Sequence, residues 1–278
     1  MTMTRRSFLI ASAAATGRPL LADAAFPGHK VAGNLYYCGS HDFSSYLITS
    51  PRGHVLINSS FDETVPLIKA AVEELGFKFS DIRILLTSHA HADHCAGNAL
   101  VREITGCQVL VMRGDEEIVR SGGQGDFHYN SRFRPCPVDR VLADNDKVEL
   151  GGASLTARHT PGHTRGCTTW TMTVNEGGRD RPAVIIGSPN VNRGYKLVNN
   201  AKYPEIAADF AKTFRLLKSL PCDLFLGAHG NYYGLDEKYP RLKANPARNP
   251  FLDPEGYRTY IESKQKAYRE ELARQQAA

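Results

Sequence analysis

The chain has 278 residues, 42% of them hydrophobic and 23% charged, an ordinary balance for a globular protein long enough to bury a sizeable core. That excludes a disordered chain, a collagen-like repeat and a membrane bundle, and no run of eighteen apolar residues exists to span a bilayer. The formal net charge is +5, but three arginines and one aspartate in residues 1–24 carry +2 of it, and the other basic residues are scattered, unlike the stripe of a nucleic-acid binder. The densest basic run, around Lys264, Lys266 and Arg269, is interleaved with glutamates and reads as a solvated helix face.

The chain opens Thr4-Arg5-Arg6-Ser7-Phe8-Leu9-Ile10, continues through the small apolar run at residues 11–15, and offers Ala22-Asp23-Ala24 as a small-x-small cleavage site. The paired arginines resemble a twin-arginine export signal over residues 1–24, which implies a periplasmic protein exported already folded. The mature chain is then residues 25–278, and no linker divides it, so it reads as one domain.

Strand-like runs lie at residues 34–38, 45–49 and 54–58. A helix is expected over 63–75, with Leu67, Ile68, Ala71, Val72 and Leu75 on one face. Residues 82–87 form a continuous apolar run of strand length that ends in a polar loop. A short helix, a strand over 108–112 and a helix around 115–120 follow, and the Gly-, Pro- and Arg-rich residues 121–137 read as a long loop. Further strands are expected at 147–150, 154–158, 168–174 and 183–186. A helix from Pro204 buries Ile206, Phe210, Phe214 and Leu217 until Pro221 ends it. After a short strand at 223–226, Asp253-Pro254-Glu255 caps and starts a final, more polar helix. The fold class is α/β, with sheets face to face and helices outside.

Six cysteines form no CxxC pair, which argues against a zinc ribbon, and an oxidising compartment leaves fifteen possible disulfide pairings open. The histidines are more informative. Three of ten fall within six residues, His89-Ala90-His91-Ala92-Asp93-His94, just after the strand ending at Thr87. Imidazoles two apart in an extended turn can aim at one ion, while the following Asp and His turn toward a second. That mixture of ligands suits zinc rather than calcium. Two further histidines, His163 in His159-Thr160-Pro161-Gly162-His163-Thr164 and His229 in Gly227-Ala228-His229-Gly230, lie in glycine-containing loops after apolar strands.

Through HxHxDH, HTPGHT and GAHG the chain resembles the metallo-β-lactamase superfamily, over most of the mature sequence. Its HTPGHTRGCTTW segment is similar to that of the third subclass of true metallo-β-lactamases. The resemblance implies a four-layer αβ/βα sandwich with two Zn2+ ions at one edge of the sheets. His89, His91 and His163 would hold the first zinc, and Asp93, His94 and His229 the second. Residues 187–197 resemble the subclass's substrate loop, with Ser188 and Asn190 binding the substrate carboxylate directly or through water. Most other hydrolases of the superfamily, lactonases and glyoxalase II among them, carry a metal-bridging aspartate where this chain has Ser188. Departures also appear: Asn58 stands where relatives often place an aspartate, Asn190 replaces a serine, and Arg193 replaces a proline. Cys222 lacks its bridging partner, whose place is taken by Tyr257, and Cys95 reads as a packing residue rather than a ligand.

The implied reaction is hydrolysis of the β-lactam amide of penicillins, cephalosporins and carbapenems by a zinc-bridging hydroxide, oriented by Asp93. A small-molecule substrate, no nucleic-acid or membrane partner, and a monomer are expected. The alternatives are another exported di-zinc hydrolase, acting on a lactone or thioester, and a zinc-binding protein without turnover.

Overall fold

The computed structural model describes residues 24–278. Apart from Ala24, the expected export signal lies outside the described residues. The first half contains β1 (His29–Ala32), β2 (Leu35–Tyr37), β3 (Tyr46–Ser50), β4 (Gly53–Ile57), α1 (Val65–Glu74), β5 (Ile82–Leu86), α2 (Ala92–Cys95), α3 (Asn98–Thr105), β6 (Gln108–Met112), α4 (Glu116–Ser121) and β7 (Arg140–Leu142). The second half contains β8 (Lys147–Leu150), β9 (Ala153–His159), β10 (Thr168–Glu176), β11 (Arg179–Ile186), α5 (Ile206–Ser219), β12 (Leu224–Gly227), α6 (Leu235–Ala244) and α7 (Pro254–Gln276). Asp253 accepts a hydrogen bond from the Gly256 amide at 2.8 Å, the cap expected at the start of α7.

The strands form a seven-stranded sheet in the order β1 to β7 and a five-stranded sheet in the order β12-β11-β10-β9-β8. Strand β5 runs parallel to both neighbours, β4 and β6, and β11 runs parallel to β12. Continuous apolar runs are what a strand buried on both faces requires. In β5, Ile84 and Leu86 face the core between the sheets and Leu85 a second core beneath α1 and α3, while a register irregularity at the exposed Arg83 puts Ile82 in that second core as well. In β6, Leu110 and Met112 face the first core, whereas Val109 and Val111 face the second. Helices α5 and α7 cover the other sheet, with Phe210, Phe214 and Tyr268 stacked between them. The result is the four-layer αβ/βα sandwich, and no helix among the described residues is long and apolar enough to cross a membrane.

Three elements go beyond the sequence reading. Strands β1 and β7 are only four and three residues long, too short to show a period. Helix α6 carries Pro240 in its interior, the residue that normally ends a helix, and its apolar face is thin.

His29 fills a slot among Phe26, Tyr37, Tyr239 and Phe251. Its Nδ1 donates to the Pro27 carbonyl, and Nε2 is buried without a partner. Burial lowers its pKa to about 4. As pH falls below 6.5 the unfolded chain takes up this proton before the folded one, so folded stability drops between pH 6.5 and 4. The loss is about 2–3 kcal/mol by pH 4.5. We expect His29→Phe to remove that increment, so urea unfolding at pH 7 and pH 4.5 would differ less for the variant by about this amount.

Candidate metal centre

The candidate ligands rise from loops at the carboxyl ends of β5, β9 and β12. After Leu86 the chain runs through a polar turn to His91, which is extended (φ −89°, ψ 152°) and precedes α2. His89 and His91 therefore share one side, while Asp93 and His94 turn away on the first turn of the short helix. The turn after β9 supplies His163, where Gly162 sits at φ +125° with its α-carbon against the Phe210 ring. A side chain there would have no room, so glycine alone fits.

His89, His91 and His163 bring one nitrogen each within 4.8 Å of the others, with ring centroids 4.6–4.8 Å apart. Beside them, His94 Nε2 lies 3.1 Å from His229 Nε2 and 3.2 Å from Asp93 Oδ2, and His229 Nε2 is 3.6 Å from the same carboxylate oxygen. His89 is also within 4.8 Å of Asp93 and His94, so it stands between the two sets. Two nitrogens bound to a tetrahedral zinc at its normal bond length are about 3.3 Å apart, close to the spacing in the second set.

The outward nitrogens of two imidazoles meet protein acceptors. His163 Nδ1 donates to the Asn190 carbonyl at 2.8 Å, and His229 Nδ1 donates to Asp42 at 3.1 Å. The Asp126 carboxylate is the nearest charge to His91 Nε2, at 3.9 Å, too far for a hydrogen bond. The two hydrogen bonds, at His163 and His229, leave the other ring nitrogen of each as a lone pair for a metal, the arrangement that orients metal-binding histidines. His89 Nε2 and His91 Nε2 are buried with no hydrogen-bond partner, which is costly unless a cation or other partner meets them. Burial, with the neighbouring imidazoles, keeps His89 and His163 well below the ordinary histidine range; burial also lowers His94 and takes His91 to about 4. These four rings are neutral at pH 7, the form a metal takes. Burial raises the Asp93 carboxyl, but His94 and His229 beside it reverse the effect and keep it ionised. The donor set thus fits two zinc ions.

Asp115, at the start of α4, ties the ligand loops together. One oxygen accepts from the Ala90 amide at 2.8 Å and the Thr164 hydroxyl at 2.7 Å, and the other accepts from the Gly166 amide at 2.7 Å. Gly166 is required for this approach, since a Cβ there would fall 2.6 Å from the Asp115 nitrogen. Asn58 acts on the same turn: its Oδ1 accepts from the Ser88 amide at 2.8 Å, and its Nδ2 donates to the Ser44 carbonyl at 3.2 Å. Asn58 and Ser60 both lie in the left-handed region, at φ 63° and 56°, which asparagine tolerates better than most residues.

A cavity of about 620 Å³ opens above the cluster, lined among others by Asp42, Phe43, Phe61, Tyr129, Tyr232 and Lys264. Asn190 is on its wall. Ser188 is not: it is 1% exposed, and its hydroxyl lies 3.2 Å from that of Tyr232, which also receives Asn190 Nδ2 at 2.7 Å. Cys95 is buried with its sulfur on the His91 carbonyl, outside both ligand sets, and all six cysteines are free. Sequence reasoning missed Asp42, Asp115 and Asp126, as isolated carboxylates carry no spacing signal. Lys264, read as solvated, lines the cavity.

The comparisons with known proteins agree with this geometry. The model of the metallo-beta-lactamase superfamily matches residues 44–173. The FEZ-1 metallo-beta-lactamase of Legionella gormanii superposes with a TM-score of 0.90 at 49% identity, covering 92% of this chain and 98% of that one. BJP-1, a subclass B3 metallo-beta-lactamase of Bradyrhizobium japonicum, does so at 0.86 and 34% identity, covering 92% and 97%. Among curated proteins, the hydroxyacylglutathione hydrolase of Hyphomonas neptunium is 30% identical over 127 residues, 45% of this chain and 41% of the relative. The chain spans less than half the length of the first curated relatives it matches. With two ligand sets on a four-layer sandwich, the chain belongs to the metallo-β-lactamase superfamily. Within it, its structural neighbours are the subclass B3 enzymes, in line with the resemblance to the third subclass.

Two outcomes are expected. His163→Ala should lower bound zinc, measured by elemental analysis, whereas His159→Ala should not, because His159 Nε2 faces the Arg165 carbonyl instead; equal zinc loss would remove His163 from the ligand set. The second concerns Asn58, which stands where relatives often place an aspartate. A carboxylate there would lose the donor to Ser44 and set two oxygens against each other. Asn58→Asp should therefore destabilise the fold by about 1–3 kcal/mol in chemical denaturation, without raising zinc affinity.

Proposed function

We propose that the chain is a zinc-dependent β-lactamase that hydrolyses penicillins, cephalosporins and carbapenems in the periplasm, after export on its twin-arginine-like start. One observation carries the choice of substrate. Strand β11 ends at Ile186 and runs through Gly187 into Ser188, so no carboxylate reaches the cluster from this strand, and Asp93 is the one carboxylate in the ligand groups. Lactonase-like and thioesterase-like relatives use a bridging aspartate there. The near-complete coverage of a β-lactamase supports the same reading.

Two zinc ions held by His89, His91 and His163 and by Asp93, His94 and His229 would supply Lewis-acid activation of water and of the lactam carbonyl. The protein's own groups do the rest. The ionised Asp93 lines the cavity and can accept a hydrogen bond from the attacking water, turning its lone pair toward the carbonyl carbon. Asn190 and Tyr232 line the cavity, where they would hydrogen-bond the substrate carboxylate. Ser188 acts on it through Tyr232, whose hydroxyl it helps to orient. Phe43, Phe61 and Tyr129 give the cavity apolar walls against the substrate body.

Ser188 is not a nucleophile of the serine-enzyme kind. Its hydroxyl meets Tyr232 and the Asn190 amide, neither of them a base, so no acyl-enzyme forms at this residue. The second reading, a lactone or thioester hydrolase, draws on the partial match to hydroxyacylglutathione hydrolase. Purified residues 25–278 with added zinc should clear carbapenem absorbance, resist clavulanate-type inhibitors and lose activity to a chelator. Rapid lactone or thioester hydrolysis with no turnover of any β-lactam would defeat the proposal.

A further inference from the structure

Beside the metal cavity lies a second hollow of about 480 Å³, between the loop at residues 189–194 and one face of α7. Asn190, Asn192 and Lys264 line both, so the two spaces adjoin and share a wall. The helix contributes Lys264, Ala267, Glu271 and Arg274, whose spacing of three, four and three residues keeps them on one face. Gln275 fixes the two walls together: its Nε2 donates to the Tyr195 carbonyl at 2.7 Å, and its Oε1 accepts from the Leu197 amide at 2.6 Å.

The charges of this hollow do not cancel. Glu271 is engaged by both ends of the Arg274 guanidinium, at 2.8 and 2.7 Å, and that pair is neutral. Arg193 is exposed and makes no ion pair or hydrogen bond among the described residues. The Lys264 ammonium lies 5.2 Å from the centre of the Tyr260 ring and has no carboxylate partner there. Two uncompensated cations therefore face one trench, Lys264 where it joins the metal cavity and Arg193 farther out. Anions are what such a surface attracts and orients.

We propose that this hollow is a subsite for a second anionic group on the substrate, so that the enzyme favours dianionic β-lactams. The inference rests on the β-lactamase reading. With the ring carboxylate held by Asn190, Tyr232 and Lys264, the adjoining hollow and Arg193 are left for a charged substituent next to that carboxylate. In a cephalosporin this is the C3 substituent, and a sulfonate or carboxylate on it meets the guanidinium. Lys264 is a binding residue for every substrate with a ring carboxylate; Arg193 distinguishes among them.

Cefamandole and cefonicid test this, since they share the 7-acyl side chain and differ in a methyl or sulfomethyl group on the C3 tetrazole. Zinc-loaded wild type, Arg193→Gln and Lys264→Gln are compared on both compounds. Arg193→Gln should raise KM for cefonicid roughly two- to fivefold, as suits an exposed ion pair, while leaving kcat and all cefamandole constants unchanged. Lys264→Gln should raise KM for both compounds. The wild-type preference for cefonicid should shrink as salt is added. Turnover of both compounds with equal effects of Arg193→Gln, or none, overturns the subsite and leaves the β-lactamase reading intact. Turnover of neither, with a lactone or thioester cleaved, overturns both.

Discussion

Five imidazoles and a carboxylate converge at one edge of the two sheets, with His94 Nε2 3.1 Å from His229 and 3.2 Å from Asp93, and His229 3.6 Å from that carboxylate. Their lone pairs repel and their burial costs solvation, so nothing in the cluster holds itself together without a cation. The fold must supply the rigidity from outside. Asp115 does so by joining the amide of Ala90, between His89 and His91, to the Thr164 hydroxyl next to His163 and the Gly166 amide. Burial raises its carboxyl to about 6, so this brace is a strained charge, compensated by the donors it gathers.

The same logic runs through the surrounding loops. Asn58 and Ser60 accept left-handed backbone angles so that the chain after β4 can meet the amide of Ser88 and the amide of Gly97. The Ser59 amide also takes the His94 carbonyl at 3.0 Å. Asp42 supports His229 from another loop: its carboxylate accepts from the imidazole while its carbonyl accepts from the Gly230 amide at 2.7 Å. Local strain is kept at the site because the two stiff sheets beneath over-determine it.

The substrate side is built more loosely, from the loop after β11 and the last helix. Asn190 serves both sides, its carbonyl on His163 and its side chain on Tyr232. A displacement of that loop therefore acts directly on a candidate metal ligand. Helix α7, capped by Asp253 and pinned by Gln275, carries Lys264 to the cavity mouth as part of a rigid element rather than a free surface side chain.

Much of this was legible in the sequence. The apolar runs of β5 and β6, the helical period of α5 and the Asp253-Pro254 cap are local signals, because strand alternation and capping depend on near neighbours. The HxHxDH cluster is local as well, and with it the metal chemistry. Tertiary structure alone decided what supports the ligands and what meets the substrate. Asp42 and His229 are 187 residues apart, and Asp115 and Thr164 are 49 apart; a lone carboxylate has no period or spacing to reveal such a partner. Lys264 has the same charge and the same neighbours in sequence whether it faces water or the cavity. Only the packing of α7 against the second sheet turns it toward the site, since packing is a property of surfaces that meet and not of residues in order.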